Sequence, residues 1–324
     1  MVTDTGRQAD RTLAELVGVA RLVSAAVQTV INGKPTAVRL ALTVLLAEGH
    51  VLIEDVPGVG KTQLAKALAK SVDCSVRRVQ FTPDLLPSDI TGVSAYNQEL
   101  RQFEFKPGPI FANVVLGDEI NRASPKTQSA LLESMEERQV TVDGSTHQLD
   151  RPFMVIATQN PVEMEGTYPL PEAQRDRFMA RIAIGYPDRA AELAMLDIHG
   201  SSSPLDHLKP VAHASDVRAL VAAVREVHVS DAIRQYIIDL VNATRNAAEL
   251  RLGASPRAAL HLLRASRAHA ALDERDFVLP DDIQALAVPV LAHRLLPSAE
   301  AMVGRNLPDQ VLASLIRRLP LPAR

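Results

Sequence analysis

An α/β domain followed by an all-helical one is what this sequence predicts, and three observations carry that prediction. Val51 to Thr62 reads VLIEDVPGVGKT, an apolar run that enters a turn with one proline and two glycines and then opens a helix. Val114 to Glu119 reads VVLGDE, a second apolar run ending in two adjacent carboxylates. Beyond Tyr186-Pro187 such runs stop, and only segments of helical period follow. Short apolar strands alternating with helices belong to a sheet buried on both faces. The expected organisation is a nucleotide-binding core with N-terminal helices over 1–186, a linker over 187–208, a helical lid over 209–300 and a C-terminal tail over 301–324.

The phosphate-binding stretch can be read residue by residue. Val51, Leu52 and Ile53 form the strand, and Asp55-Val56-Pro57-Gly58-Val59-Gly60 the loop. Lys61, Thr62 and Gln63 then open a helix on which Leu64, Ala67 and Leu68 share a face. Free backbone amides at that helix N-terminus form an anion nest, Lys61 adds a point charge, and the Thr62 hydroxyl is placed to bind Mg²⁺. The pattern G-x-x-x-x-G-K-[ST] would put glycine at 55, where this chain has Asp55. Asp tolerates unusual backbone angles better than most residues, so closure of the loop is still expected.

Ahead of this strand, Leu13, Leu16, Val17, Ala20 and Val23 define one face of a helix over Arg11 to Val30, which Ile31-Asn32-Gly33-Lys34-Pro35 ends. A second helix spans roughly Ala37 to Ala47. Val30 and Ile31, in the turn between them, are candidates for contacts with an adenine, although core packing is the commoner use of two aliphatic residues. After the phosphate loop, Ser75 to Phe81 reads as a strand, Gly92 to Tyr96 as a polar turn, and Gln102 to Phe105 as part of a projecting hairpin.

Asp118 and Glu119 are the second chemical landmark. At the end of a buried strand the first can hold Mg²⁺, usually through water, and the second can polarise an attacking water. Ser124-Pro125 begins the next helix, with Leu131, Leu132 and Met135 facing inward. Asp143-Gly144 joins Val140-Thr141-Val142 to His147-Gln148-Leu149 in a second hairpin. Phe153 to Ala157 is another buried strand, and at its tip Asn160 is best placed to reach a γ-phosphate or orient water. A last strand is expected over about Ala180 to Ile184. An arginine of the stretch Arg175-Asp176-Arg177, at the edge of such a domain, could reach a neighbouring subunit's nucleotide; a surface salt bridge is the commoner use of such a residue.

Helices are then expected at Ala190 to Ile198, Ser215 to Val227, Ser230 to Ala247, Ser255 to Leu272 and Asp281 to Leu295, with Gly200 to Pro204 as linker. Arg257, in the first turn after Ser255-Pro256, could swing over the phosphates.

The bulk numbers agree with a globular chain. It has 324 residues, 47% of them hydrophobic and 23% charged, and a formal net charge of -3 that gives no reason to expect nucleic acid or an anionic membrane as the main partner. Cys74 is the one cysteine, so no intrachain disulfide can form and a reducing cytoplasm fits best. The polar start MVTDTGRQADR has no signal-peptide core. The most apolar stretch, Leu40 to Ile53, is broken by Glu48 and His50, so no membrane span is expected.

With these landmarks in this order the chain resembles AAA+ ATPases, and its wording is closer still to the MoxR family. FTPDLLPSDITG, FEFKPGPIFANVVLGDEINRA, KTQSALLESMEERQVTVDG, VIATQNPVEMEGTYPLPEAQRDRF and GASPRA carry the likeness, which covers roughly residues 10 to 295. The resemblance implies a five-stranded parallel α/β core with an all-helical lid, and hairpin insertions at 92 to 107 and 139 to 150. It implies a homo-oligomeric ring, usually a hexamer, with ATP and Mg²⁺ between protomers. By motif position Lys61 and Thr62 would be the first nucleotide motif, Asp118 and Glu119 the second, Asn160 the first sensor, Arg177 the finger and Arg257 the second sensor. The chain departs from the family pattern at Gly117, where alanine is frequent, and at Arg175, where leucine is. Family members are thought to be chaperone-like ATPases that assemble or activate protein complexes, often with partners carrying von Willebrand factor A domains. The rival classes are a nucleic-acid motor or transcription activator and a binding scaffold gated by nucleotide. For the first there is no appended helix-turn-helix, zinc ribbon or basic tract, and Ile316-Arg317-Arg318 is too short to serve. Against the second stand Glu119 and Asn160.

Overall fold

The structure, a computed structural model, describes residues 12–160, 167–190, 192–193, 204–304 and 307–322. Helix α1 (Leu13–Gln28) begins at a capping box: the Thr12 hydroxyl accepts from the Glu15 amide, and the Glu15 carboxylate accepts from the Thr12 amide. In chain order, α2 (Pro35–Leu46) leads to β1 (Val51–Glu54), α3 (Lys61–Ser71) and β2 (Val76–Gln80). Next come α4 (Pro87–Thr91), the hairpin of β3 (Gly92–Asn97) and β4 (Gln102–Pro107), and β5 (Val114–Asp118). Helix α5 (Pro125–Glu137), the hairpin of β6 (Gln139–Val142) and β7 (Ser145–Gln148), β8 (Met154–Gln159), α6 (Glu172–Arg175) and β9 (Ala180–Ile182) complete the core domain.

The strands β2-β5-β8-β1-β9 form one sheet in that order, and each neighbouring pair is parallel. All five therefore end on the same edge, which is where open α/β sheets hold ligands. Strand alternation divides the core in two. Val51, Ile53, Val114, Leu116, Met154 and Ile156 face a cluster continuous with α1 to α3 and the lid, whereas Leu52, Val115 and Val155 face Phe81, Leu131 and Phe178.

Both hairpins stand apart from this sheet. Asp143 (φ 48°) and Gly144 (φ 80°) make the two-residue turn between β6 and β7 that their types favour. In the first hairpin, Gly92 to Tyr96 is a strand paired with β4, not the expected turn. Gly92 is needed there for close approach: it sits at φ 96°, and a Cβ would lie 2.3 Å from the Lys106 carbonyl oxygen. The hairpins touch where Phe105 stacks on His147, ring centroids 3.9 Å apart.

The lid contains the helices Ala214–Glu226, Asp231–Asn246, Pro256–Leu272 and Pro280–Leu291. Strands were not expected here, yet Leu250–Leu252 pairs antiparallel with Leu296–Pro297. These pieces are too short to show a period in sequence. The stretch taken as a tail contains the helix Pro308–Arg318, whose Val311 and Leu312 are buried against the lid. Most of the helix expected at 190–198, and Gly200 to Ser203, lie outside the described residues. Among the described residues no helix is long and apolar enough to cross a membrane.

Core and lid meet over two buried histidines, His50 and His293, and the half-buried His261. His50 Nδ1 accepts from the Val155 amide at 3.0 Å, which leaves Nε2 as the donor to the Met135 carbonyl, also at 3.0 Å. Burial pushes its pKa from 6.5 down to about 4. His261 and His293 are depressed for the same first reason, with Arg294 next. As pH falls below 6.5 the unfolded chain takes up these protons before the folded one does. Stability is therefore expected to be level above about pH 7 and to drop between pH 6.5 and 4, by on the order of 3 kcal/mol from a group shifted as far as His50. Urea midpoints measured across this range check it, and His50→Gln should flatten part of the slope.

Candidate functional site

A cleft lies at the ends of three adjacent strands, β5, β8 and β1. β1 turns through Gly58 (φ 85°) and Gly60 (φ 91°) into α3, and these left-handed conformations are what glycine supplies at no steric cost. A Cβ on Gly58 would meet nothing within 4 Å, so the loop forms an open cradle in which backbone amides can approach a phosphate. Lys61 Nζ donates to the Asp55 carbonyl at 2.7 Å. Pro57, Gly58, Gly60, Lys61, Thr62, Asp118, Glu119 and Asn160 line a cleft of about 320 Å³. Ile31 sits beside the loop, 3.7 Å from where a Gly60 Cβ would lie, but is itself part of the core.

Asp55 fills the place of the pattern's first glycine without adopting a positive φ. Its Oδ1 accepts from the Val56 amide at 2.8 Å, and its Oδ2 accepts from the Ile184 and Gly185 amides at 2.7 and 2.6 Å. The carboxylate thus ties the phosphate loop to the chain leaving β9.

The acidic pair is held by neighbours that the sequence did not single out. Thr158, fully buried on β8, donates from Oγ1 to Asp118 Oδ1 at 2.6 Å and accepts from the Glu119 amide at 2.9 Å. Glu119 takes a left-handed conformation (φ 58°). Its Oε2 accepts from Gln80 Nε2 at 2.8 Å and pairs with Arg122 Nε at 3.1 Å. Arg78 is ion-paired with Asp118 at 2.6 Å. Thr158→Val should lower turnover roughly tenfold at little cost in nucleotide affinity, since one hydroxyl serves both acids without lining the cleft. A kcat against KM comparison reads this out.

The hard oxygen donors Thr62 and Asp118 share the cleft, a set that fits Mg²⁺ beside a substrate phosphate. Arg177 and Arg257 do not line it. They line a second cleft of about 310 Å³ with Glu48, His50, Glu136, Arg138, His261 and Arg264. Arg177 Nε pairs with Glu136 at 3.0 Å, and Arg257 pairs with Glu136 and, at 3.3 Å, with Asp176. Asp176 also accepts from Ser255 Oγ at 2.7 Å and pairs with Arg294 at 3.2 Å. This clasp fixes the start of the Arg257 helix to the segment after α6, so Arg257 is not poised over its own chain's phosphate loop. Arg175 lines neither cleft.

The family described as "ATPase family associated with various cellular activities (AAA)" matches residues 50–180, and an AAA lid domain matches 242–313. The chain is 40% identical to the Chaperone MoxR1 of Mycobacterium tuberculosis over 91% of its own length and 80% of that protein's. It is 34% identical to the Protein MoxR of Paracoccus denitrificans, over 94% and 96%. A crystal structure of a candidate ATPase from Cytophaga hutchinsonii superimposes with a TM-score of 0.89 at 40% identity, covering 96% of this chain and 97% of that one.

Proposed function

Because the chain belongs to the MoxR family of AAA+ ATPases, we propose that it hydrolyses ATP and uses the cycle for chaperone-like remodelling, assembly or activation of partner protein complexes. The observation that carries this is the meeting of Lys61, Thr62, Asp118, Glu119 and Asn160 in one cleft at the sheet's edge. Lys61 and the loop amides bind the β- and γ-phosphates, and Thr62 and Asp118 are the residues that hold Mg²⁺. When bound, that ion neutralises charge on the phosphoryl oxygens. Glu119 accepts a proton from the attacking water, and Asn160 aligns that water.

Arg177 and Arg257 share Glu136 in the other cleft, and this supports a role on a second copy's triphosphate. The site is then completed between protomers, which favours a homo-oligomeric ring, with a hexamer as the proposed size. Loss of the γ-phosphate would remove contacts made from both chains and permit a rigid-body shift, passed on to a bound protein. The proposed client class is a protein complex, with a von Willebrand factor A partner drawn from the resemblance and the cytoplasm as the setting. Nucleotide association by calorimetry and phosphate release test the chemistry, and absence of Mg·ATP binding would sink it. Client identity is tested by pull-down with Glu119→Gln.

A further inference from the structure

Asp118 is the carboxylate assigned above to the divalent cation, and each of its oxygens has a donor. Oδ1 accepts from Thr158, which is wholly inside the protein. On Oδ2, Arg78 converges with Nη2 at 2.6 Å and Nε at 3.1 Å. Arg78 comes from β2, the edge strand, where Gln80 lies in register with Asp118 and Arg78 with Leu116. The same guanidinium donates to Gln80 Oε1 at 2.8 Å, and Gln80 in turn holds Glu119. Arg78's side chain is 49% exposed whereas Asp118's is 13% exposed, so Arg78 is the partner free to leave.

We infer that Arg78 is a positioning residue that competes with Mg²⁺ for Asp118 Oδ2, so that loading the metal with its nucleotide requires the guanidinium to move aside. The inference rests on the nucleotide reading of the cleft. A guanidinium and a hydrated divalent ion are both cations seeking one carboxylate oxygen, and two N–H donors in a fork make the organic cation an effective rival. Solvent exposure keeps the rivalry modest, within reach of millimolar metal. Its departure also takes a hydrogen bond from Gln80, which loosens the grip on Glu119. Metal entry is thereby linked to one of the two side-chain partners of Glu119, Arg122 remaining the other.

The test is the Mg²⁺ concentration that half-saturates binding of a fluorescent ATP analogue to the full chain, with chelator as baseline. Arg78→Gln is expected to lower that concentration about 2- to 5-fold, the equilibrium equivalent of a partly exposed ion pair. Arg78→Lys, which keeps the charge but not the fork, should fall between variant and parent. Arg77→Gln removes a like charge from the opposite face of the same strand and should change nothing. An unchanged or raised requirement in Arg78→Gln overturns the inference, as does an equal shift in Arg77→Gln, which would reduce the effect to long-range charge. Should Arg78→Gln fail to fold, judged by its thermal melt, Arg78→Lys carries the comparison alone and an unchanged requirement there is equally fatal. Absence of Mg²⁺-dependent binding by the parent would instead remove the nucleotide reading itself.

Discussion

Glu119→Gln is expected to lower kcat for ATP hydrolysis by about 10²- to 10⁴-fold while leaving Mg·ATP bound, the range typical of a lost general base. Gln matches Glu in shape but cannot accept the proton. The backbone around it should be unaffected, because the left-handed conformation at 119 is anchored from the main chain through the Thr158 hydroxyl at 2.9 Å. The side chain keeps an acceptor for Gln80 and loses only the ion pair with Arg122, whose own side chain is 41% exposed. Steady-state phosphate release and nucleotide titration together distinguish loss of chemistry from loss of binding. Turnover equal to the parent's would mean that another group takes the proton.

How much of this site could be read from the chain follows from the distance over which each contact acts. The phosphate loop and the Asp118-Glu119 pair were legible because strand, turn and helix lie within a dozen consecutive residues, each with local chemistry. Asp55 was visible only as a departure. Its partners, the amides of Ile184 and Gly185, are 129 and 130 residues away, just past a strand whose placement beside β1 is a property of the sheet. Gly92 was misread because glycine before a polar run usually signals a turn, whereas here it lets two strands and Gly108 approach. Arg257 was expected over the phosphates from its place in the first turn after Ser255-Pro256. Which cleft it enters was not, since that depends on a clasp to Asp176, 81 residues earlier, and on how the lid packs.

That clasp leads to the other large effect. Arg177→Ala is expected to reduce turnover of the assembled protein by about 10²- to 10³-fold, somewhat below or near the low end of values known for arginine fingers. Nucleotide binding by the single chain should be nearly unchanged, because neither Arg177 nor Arg257 lines the phosphate-loop cleft. Arg257→Ala should act in the same direction and less than additively, since Glu136 joins the two guanidinium groups and each loss leaves the other differently paired. Mixing separates the two geometries. Arg177→Ala retains an intact phosphate loop and Lys61→Ala retains an intact arginine pair, so each alone turns over ATP at only a small fraction of the parent rate. In a ring assembled from equal amounts, about a quarter of the interfaces join the good half of one to the good half of the other, given one head-to-tail contact per protomer. Activity recovered to that level requires the arginine to act across the interface. Recovery of none would place Arg177 on its own chain's nucleotide, and the separation of the two clefts would then have to close during the cycle.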